Sequence, residues 1–368
     1  MDIKADICCT NCGMDYPTGR VVYCCPKCGG LYDFRQTWSF DPKRVDNTQP
    51  GIWKYRHTFG LPDGIGPVSL GEGNTPLAWV ESFGREVALK CEYINPSGSF
   101  KDRGSSVIAT WLHSEGVTEA VEDSSGNAGA SFAAYAARAG IKARIFVPES
   151  AAGPKREQIE AYGAELIPIP GSRSDVTAAA KEAVKGGKAY ASHADLPFNL
   201  PGYATAAYEI FEQMGRMPGT VIVPAGQGGF LLGLKRGFDA VRIAIDLPSI
   251  PRMIGVQALS CAPLWARFTA GRQGMALIAD HPTLAEGVRV RHPLRGDAVI
   301  AAVTESGGMM VAVEENDILP ARDGLARLGF YVEPTSALVW AALSQIIDHL
   351  SDPIVAILTG FGLKYGVK

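Results

Sequence analysis

Lys101 stands in the stretch Asn95-Pro-Ser-Gly-Ser-Phe-Lys-Asp-Arg103, between a turn of small residues and the expected start of a helix. An amine held there can attack a bound aldehyde and form a Schiff base. The same lysine, flanked by Asp102 and Arg103, also fits an ordinary solvated helix start. Three further stretches favour the chemistry: Ser124-Ser-Gly-Asn-Ala-Gly129, Gly226-Gln-Gly-Gly229 and Thr359-Gly360.

Val223-Pro-Ala-Gly-Gln-Gly-Gly-Phe230 reads as a strand, a glycine turn and a helix start. Such a turn presents backbone N–H groups and a helix dipole to an anion. It has neither the dinucleotide spacing nor the Gly-Lys-Ser/Thr ending of a P-loop. What remains is a monophosphate cradle formed by Gly226, Gln227, Gly228 and Gly229. In the second turn, Ser124 and Ser125 can receive a small carboxylate, and Asn127 can hold an oxygen of a cofactor ring. Plain N-capping by Ser124 or Asn127 is the competing use. Thr359 closes the apolar run Ile354 to Leu358 and places a hydroxyl at the carboxyl edge of a parallel strand, where open α/β sheets bind ligands. That hydroxyl can bond a neutral pyridine nitrogen, or simply its own backbone. A lysine, a phosphate cradle, a carboxylate receptor and a strand-end hydroxyl together meet the requirements of pyridoxal phosphate.

A second chemistry sits at the amino terminus. Six of the eight cysteines fall within the first 28 residues, four of them in Cys9-Thr-Asn-Cys12-Gly13 and Cys25-Pro-Lys-Cys28-Gly29. Each Cys-x-x-Cys turn offers two thiolates, and two facing turns complete a tetrahedral zinc site. The spacing favours Cys9, Cys12, Cys25 and Cys28, although the doublets Cys8-Cys9 and Cys24-Cys25 leave the register open. Four protein ligands close the site, so its expected role is structural. With few basic residues, among them Lys4, Arg20 and Lys27, the ribbon reads as a small stapled appendage, with a hairpin-like segment from Met14 to Cys24. Cys91 and Cys261 read as core residues.

The elements that must position these groups alternate along the chain. Strands are expected at Val87–Cys91, Glu119–Asp123, Ala143–Val147, Glu165–Ile169, Thr220–Pro224, Met253–Gln257 and Ile354–Leu358. Helices are expected after the Lys101 turn through Trp111, from the Ser124 turn to Ala139, at Pro154–Tyr162, at Asp175–Lys185 and from Phe230. The alternation implies parallel sheets covered on both faces. A chain of 368 residues, 46% hydrophobic and 20% charged, is long enough for two domains. A net charge of −3 without a basic block argues against a nucleic-acid surface. No apolar run approaches a membrane span, and Met1-Asp-Ile-Lys-Ala-Asp6 lacks the pattern of a secretory leader. The clustered cysteines suit a reduced, cytoplasmic setting rather than a disulfide framework.

The quoted stretches, together with Glu72-Gly-Asn-Thr-Pro-Leu77, Val332-Glu-Pro-Thr-Ser336 and Leu358-Thr-Gly-Phe-Gly-Leu-Lys364, carry a resemblance. From about Ser69 onward, the chain resembles the β-family (fold type II) of pyridoxal phosphate enzymes, and within it the threonine synthases. The resemblance implies a tryptophan synthase β-like α/β fold with the cofactor between two parallel-sheet domains. The expected limits are 1–36 for the ribbon, 37–101 with 199–368 for the large domain, and 102–198 for the small one. It implies that Lys101 bonds the cofactor, that Phe100 lies by its ring, and that Asn127 contacts the 3′ oxygen. Gly226 to Gly229 would hold its phosphate, and Thr359 would face its nitrogen. Ser124, Ser125 and Thr75 would receive the carboxylate of a small amino-acid substrate. The implied reaction converts O-phosphohomoserine and water to threonine and phosphate, in a homodimer.

One departure concerns the second phosphate. In Leu196-Pro-Phe-Asn-Leu-Pro-Gly-Tyr-Ala-Thr205, Asn199 stands where the family has an arginine, and Leu196 where it has an asparagine. Asn199 cannot supply the charge-assisted bidentate contact of an arginine. Lys155 matches a family lysine and can serve the anion. A neutral pocket would instead suit β-elimination or β-replacement on serine-, threonine- or cysteine-like substrates. A catalytically idle scaffold that binds a partner through its ribbon is a third reading, opposed by the intact Lys101 and its supporting turns. His57, His113 and His193 receive no role from sequence.

Overall fold

A computed structural model describes residues 6–366 except 37, 63 and 279. Residues 1–5 of the expected ribbon, most of the expected non-leader start, and the last two residues of the expected large domain lie outside the described residues. Along the chain run β1 (Ile7–Cys9), β2 (Tyr32–Phe34), β3 (Leu77–Ser82), β4 (Arg85–Lys90), α1 (Lys101–Ser114), β5 (Glu119–Glu122) and α2 (Asn127–Ala139). Then follow β6 (Lys142–Pro148), α3 (Pro154–Ala161), β7 (Glu165–Ile169), α4 (Arg173–Ala183), β8 (Ala189–Tyr190), α5 (Leu200–Met214), β9 (Thr220–Pro224) and α6 (Gly229–Ala244). The chain continues through β10 (Arg252–Ala258), α7 (Pro263–Leu277), α8 (Gly296–Glu305), β11 (Met309–Val313), α9 (Glu315–Arg327), α10 (Pro334–Ile346) and β12 (Ile354–Ile357).

Two main sheets result. One is six-stranded in the order β11-β10-β9-β12-β4-β3, and the other four-stranded in the order β7-β6-β5-β8. In the large sheet, β9 and β12 are buried at every residue, as strands covered on both faces must be. The small sheet is parallel throughout. The large one departs from the all-parallel expectation at its edge, where β3 runs antiparallel to β4. The cause is local: Phe83 (φ 53°) and Gly84 (φ 72°) both take left-handed conformations, the two-residue turn that joins twisted antiparallel strands.

The ribbon also differs from expectation. Among the described residues its strand pair is β1 with β2. Between Met14 and Cys24 the described backbone makes turns and one bridge, Cys8 to Asp15, rather than a hairpin. Nor is the ribbon an appendage. Ile7, Tyr16 and Tyr32 belong to one buried cluster with Trp53, Trp111 and Phe198. Tyr16 packs edge-on against Tyr32, Trp111 and Phe198, at centroid distances of 4.8, 6.1 and 5.4 Å.

A buried ionic knot ties α1 to both flanks of the large sheet. The Arg103 guanidinium donates from Nε and Nη2 to Glu92 at 2.7 Å each, and from Nη1 and Nη2 to Glu209 of α5 at 2.8 and 2.7 Å. Lys90 at the end of β4 donates to the same Glu209 at 2.8 Å and to the Thr75 carbonyl at 2.7 Å. Two cations and two carboxylates, all essentially without exposed surface, balance one another. Removing one partner of a buried pair strands the rest, so Arg103→Met is expected to cost about 3–5 kcal/mol. Urea denaturation measures it, and a loss below about 1 kcal/mol, the scale of a surface pair, would show that the knot is dispensable.

Candidate active site

Burial removes the ordinary reading of the Lys101 segment. Asp102 and Arg103 have no exposed surface. Instead of meeting solvent, Asp102 accepts from Ser97 N and Oγ at 2.6 and 2.5 Å, and from Ser131 Oγ at 2.6 Å. Those bonds fold the Ser97–Phe100 turn back on the helix start, with Gly98 in a left-handed conformation (φ 86°) that a side chain would strain. Lys101 is thereby fixed as the first residue of α1, its Nζ 4.8 Å from the Phe100 ring centroid. Burial pulls its pKa down to about 8.

Three neighbouring strands deliver the other groups to the same edge, since β4, β12 and β9 are parallel neighbours in register. Beyond β12, the Thr359 carbonyl accepts from Phe100 N at 3.1 Å, and Ser99 bridges to Gly360. The Thr359 hydroxyl lies 3.0 Å from Ser336 Oγ, which also accepts from the Thr359 and Gly360 amides at 3.0 and 2.9 Å. Thr359 is therefore bonded to α10 rather than to its own backbone. Beyond β9, the Gly226–Gly229 turn opens α6 with no side chain capping its first-turn N–H groups. Gly228 takes φ 77°, and a Cβ at Gly226 would come within 2.9 Å of the Gly287 carbonyl. The Gln227 Oε1 accepts from Leu294 N at 3.0 Å. Phe230, next in α6, stacks on Phe100 at 4.3 Å.

The Ser124 turn joins from the small sheet. Gly126 is the N-cap of α2, with no side chain capping the helix. Ser124 Oγ accepts from Gly126 N at 3.2 Å, and Ser125 is half-buried beside it. Asn127 Nδ2 donates to Glu333 at 2.7 Å, while its Oδ1 is buried without a partner. That orphaned oxygen, the uncapped glycine turn and the strand-end hydroxyl fit a ring bearing polar substituents and a phosphate.

The remaining expected residues divide. Lys155, at the start of α3, pairs with Glu333 at 2.7 Å and so joins the site. Thr75 does not. Its hydroxyl donates to Glu92 at 2.7 Å and accepts from Arg103 at 3.2 Å, inside the ionic knot. Asn199 is buried against α1, where a Cβ on Gly104 would touch its own Cβ at 2.8 Å, and its Nδ2 donates to the His193 carbonyl at 2.6 Å. Leu196 is wholly buried.

Sequence reasoning missed three groups. Glu333 lay within a quoted motif but had no assigned role; its N donates to Gly360 O at 2.9 Å, and its carboxylate joins Asn127 to Lys155. Ser336 holds Thr359. His193 Nδ1 lies 2.9 Å from Glu122 Oε1, and the other Glu122 oxygen is buried without a partner. Burial, reinforced by Asp123, pushes the Glu122 carboxyl well above its ordinary range. Burial, reinforced by Lys101 and Arg173, holds the His193 imidazole well below its own. Both shifts favour the uncharged form of each member of the pair. No local signal announces it, because its members stand 71 residues apart.

The four thiols of Cys9, Cys12, Cys25 and Cys28, the set that the spacing favours, lie within 4.8 Å of one another. Cys9 and Cys28 Sγ are 3.4 Å apart, and Cys12 and Cys25 Sγ 3.7 Å apart, close to the roughly 3.8 Å that tetrahedral bonds of about 2.3 Å to one ion impose. Gly13 and Gly29, both left-handed, close the two turns onto the Cys9 and Cys25 carbonyls at 2.9 and 2.8 Å.

The family model for pyridoxal-phosphate dependent enzymes matches residues 68–360. The threonine synthase of Methanocaldococcus jannaschii is 33% identical over 97% of this chain and 92% of its own. That of Methanosarcina acetivorans is 32% identical over 97% and 91%. Among solved structures, the threonine deaminase of T.th. superposes with a TM-score of 0.67 at 28% identity, covering 80% of this chain and 94% of that one. Maize serine racemase superposes with a TM-score of 0.68 at 25% identity, over 78% and 88%.

A lysine titrating near 8 is half deprotonated there, and its nucleophilic fraction grows as pH rises through that value. Acylation of Lys101, followed by peptide mass spectrometry on cofactor-free protein, should reach half its maximal rate near pH 8. A rate still climbing toward pH 10, as for an ordinary lysine of about 10.4, would contradict the burial argument.

Proposed function

The chain belongs to the pyridoxal-phosphate dependent enzyme family, and we propose that it is a threonine synthase-type lyase, converting O-phosphohomoserine and water to L-threonine and phosphate. The observation that carries this reading is the near full-length likeness to threonine synthases at 32–33% identity.

In this reading Lys101 is the residue that bonds the cofactor and moves protons to and from the substrate. When bound, pyridoxal phosphate withdraws electrons from the substrate's α carbon, which makes its proton removable. Phe100 would support one face of the ring, and Asn127 would contact its 3′ oxygen through the Nδ2 that donates to Glu333. Gly226, Gln227, Gly228 and Gly229 hold the phosphate through backbone N–H groups. Thr359, steadied by Ser336, meets the ring nitrogen. Ser124 and Ser125 take the substrate carboxylate. Thr75, expected with them, serves that end only through its backbone or from the ionic knot. Lys155 supplies the positive charge for the distal phosphate once that anion competes with Glu333, and Asn199 lines the same end. The thiol cluster suits structural zinc.

The domain limits 1–36, 37–101 with 199–368, and 102–198 belong to the same reading. They are supported by the way the large sheet draws its strands from both sides of the small one. All eight cysteines are free, in keeping with a cytoplasmic setting. Exposed Trp79 and Leu363 offer apolar surface for a homodimer. Among the described residues no helix is long and apolar enough to cross a membrane.

A second reading is β-elimination or β-replacement on another amino acid. It is favoured by one observation: where the family arginine would lie, an asparagine is already engaged with a backbone carbonyl.

Incubation of cofactor-loaded protein with O-phosphohomoserine should release phosphate and threonine in equal amounts, and Lys101→Ala should release neither. Loaded protein that releases neither product, yet deaminates serine or threonine, would replace the first reading with the second.

A further inference from the structure

The segment Ser192–Asn199 carries His193 and Asn199 and is braced by α8 and the ribbon. Arg295, at the start of α8, is 7% exposed. Its Nη2 donates to two carbonyls at 3.0 Å each, Tyr32 of the ribbon and Asp195 of the segment. Its Nη1 lies 3.2 Å from the Asp33 carboxylate, which α6 holds independently through Arg236 at 2.7 and 2.9 Å. Asp195 is fixed in turn by Lys181 at 3.2 Å and Ser192 at 2.8 Å. At the other end of the segment, Phe198 stacks on Trp111 at 3.7 Å with Tyr16 of the ribbon against its edge. The ribbon's share of this brace is continuous with its thiols: in the β1–β2 ladder Tyr32 is paired with Cys9, and Asp33 with Cys8.

We propose that Arg295 is a positioning residue that fixes His193 and Asn199 against the first turn of α1 by locking their segment to the ribbon, so that filling the thiol cluster tightens substrate binding. A closed four-cysteine site suggests a ribbon that stays out of the chemistry. The shared guanidinium makes it part of the wall of the substrate site. The argument rests on the reading that Asn199 lines the substrate end. The bracing itself does not depend on which amino acid binds there.

The test compares Arg295→Gln with Arg236→Gln, which loosens Asp33 without touching the segment. Hydrogen exchange by mass spectrometry on the cofactor-loaded, metal-filled proteins reads the segment directly. Arg295→Gln, and wild type stripped by a chelator, should each speed exchange across 192–199 by about tenfold, the worth of one charge-assisted bond. Arg236→Gln should speed it only in β1 and β2. With O-phosphohomoserine, Arg295→Gln should raise KM by about tenfold while kcat stays within about twofold. Unchanged exchange and KM in folded Arg295→Gln would overturn the proposal, as would an equal effect from Arg236→Gln. If Arg295→Gln does not accumulate, Arg295→Lys, which keeps the charge but loses the two-carbonyl fork, is read the same way. If wild type leaves O-phosphohomoserine untouched, the functional reading fails while the exchange data still decide this one.

Discussion

Arg103 carries a full charge where no water reaches, and it can do so only because Glu92 and Glu209 surround its fork with carboxylate oxygens. The cost of desolvating such a group is several kcal/mol before any partner is counted. That cost makes the arrangement selective: a packing that misplaced one member would leave an unpaired buried ion. The members come from α1, α5, the end of β4 with the turn after it, and the loop before β3, so satisfying them fixes those four pieces against one another. Lys101 begins the same helix, two residues earlier. Its position is thus inherited from an electrostatic demand that has no direct part in catalysis.

The site itself is assembled from ends. Parallel strands β4, β12 and β9 stop at a common edge, and each passes its chain into a turn: the Lys101 turn, Thr359-Gly360 and the Gly226–Gly229 turn. Strand carboxyl ends and helix amino ends meet there, and both leave backbone groups unsatisfied. Burial then does the tuning. It lowers the proton affinity of Lys101 and His193 and raises that of Glu122. Each shift favours the uncharged form of its group.

How much of this was legible in the sequence depended on the distance over which each interaction is encoded. The cysteine turns, the glycine turn and the Lys101 stretch could be read because each confines its chemistry to a few consecutive residues. The expected strands all appear, with ends shifted by a residue or two, because runs such as Thr220–Pro224 are buried on both faces and show it. Antiparallel β3 was missed because Phe83-Gly84 lacks the asparagine or aspartate that usually marks such a turn. Helices α7 to α10 were missed because the chain from Pro263 to Ile346 offers few strand signals between them, and α9 even holds Pro320 within it. Thr75 was expected among substrate contacts from the resemblance alone, and its hydroxyl goes to a glutamate 17 residues away. Glu333, Ser336 and Arg295 act on partners remote in sequence, and Asn127 and Glu333 are 206 residues apart. No local pattern encodes such pairs.

Ser336 has a consequence that lies in the direction of its bonds. A hydroxyl offers two lone pairs and one hydrogen. Both lone pairs of Ser336 are taken by the amides of Thr359 and Gly360, so the oxygen has nothing left with which to accept from the Thr359 hydroxyl. Between those two hydroxyls the hydrogen must run from Ser336 to Thr359 or turn aside to the Gly360 carbonyl, 3.2 Å away. Either way the Thr359 hydrogen is left to point outward. The edge of β12 therefore has a polarity: it gives a hydrogen and asks for a lone pair, which an unprotonated ring nitrogen has and a protonated one lacks. Under the proposed function, two backbone amides on a neighbouring serine would thus favour the unprotonated form of the ring that faces Thr359.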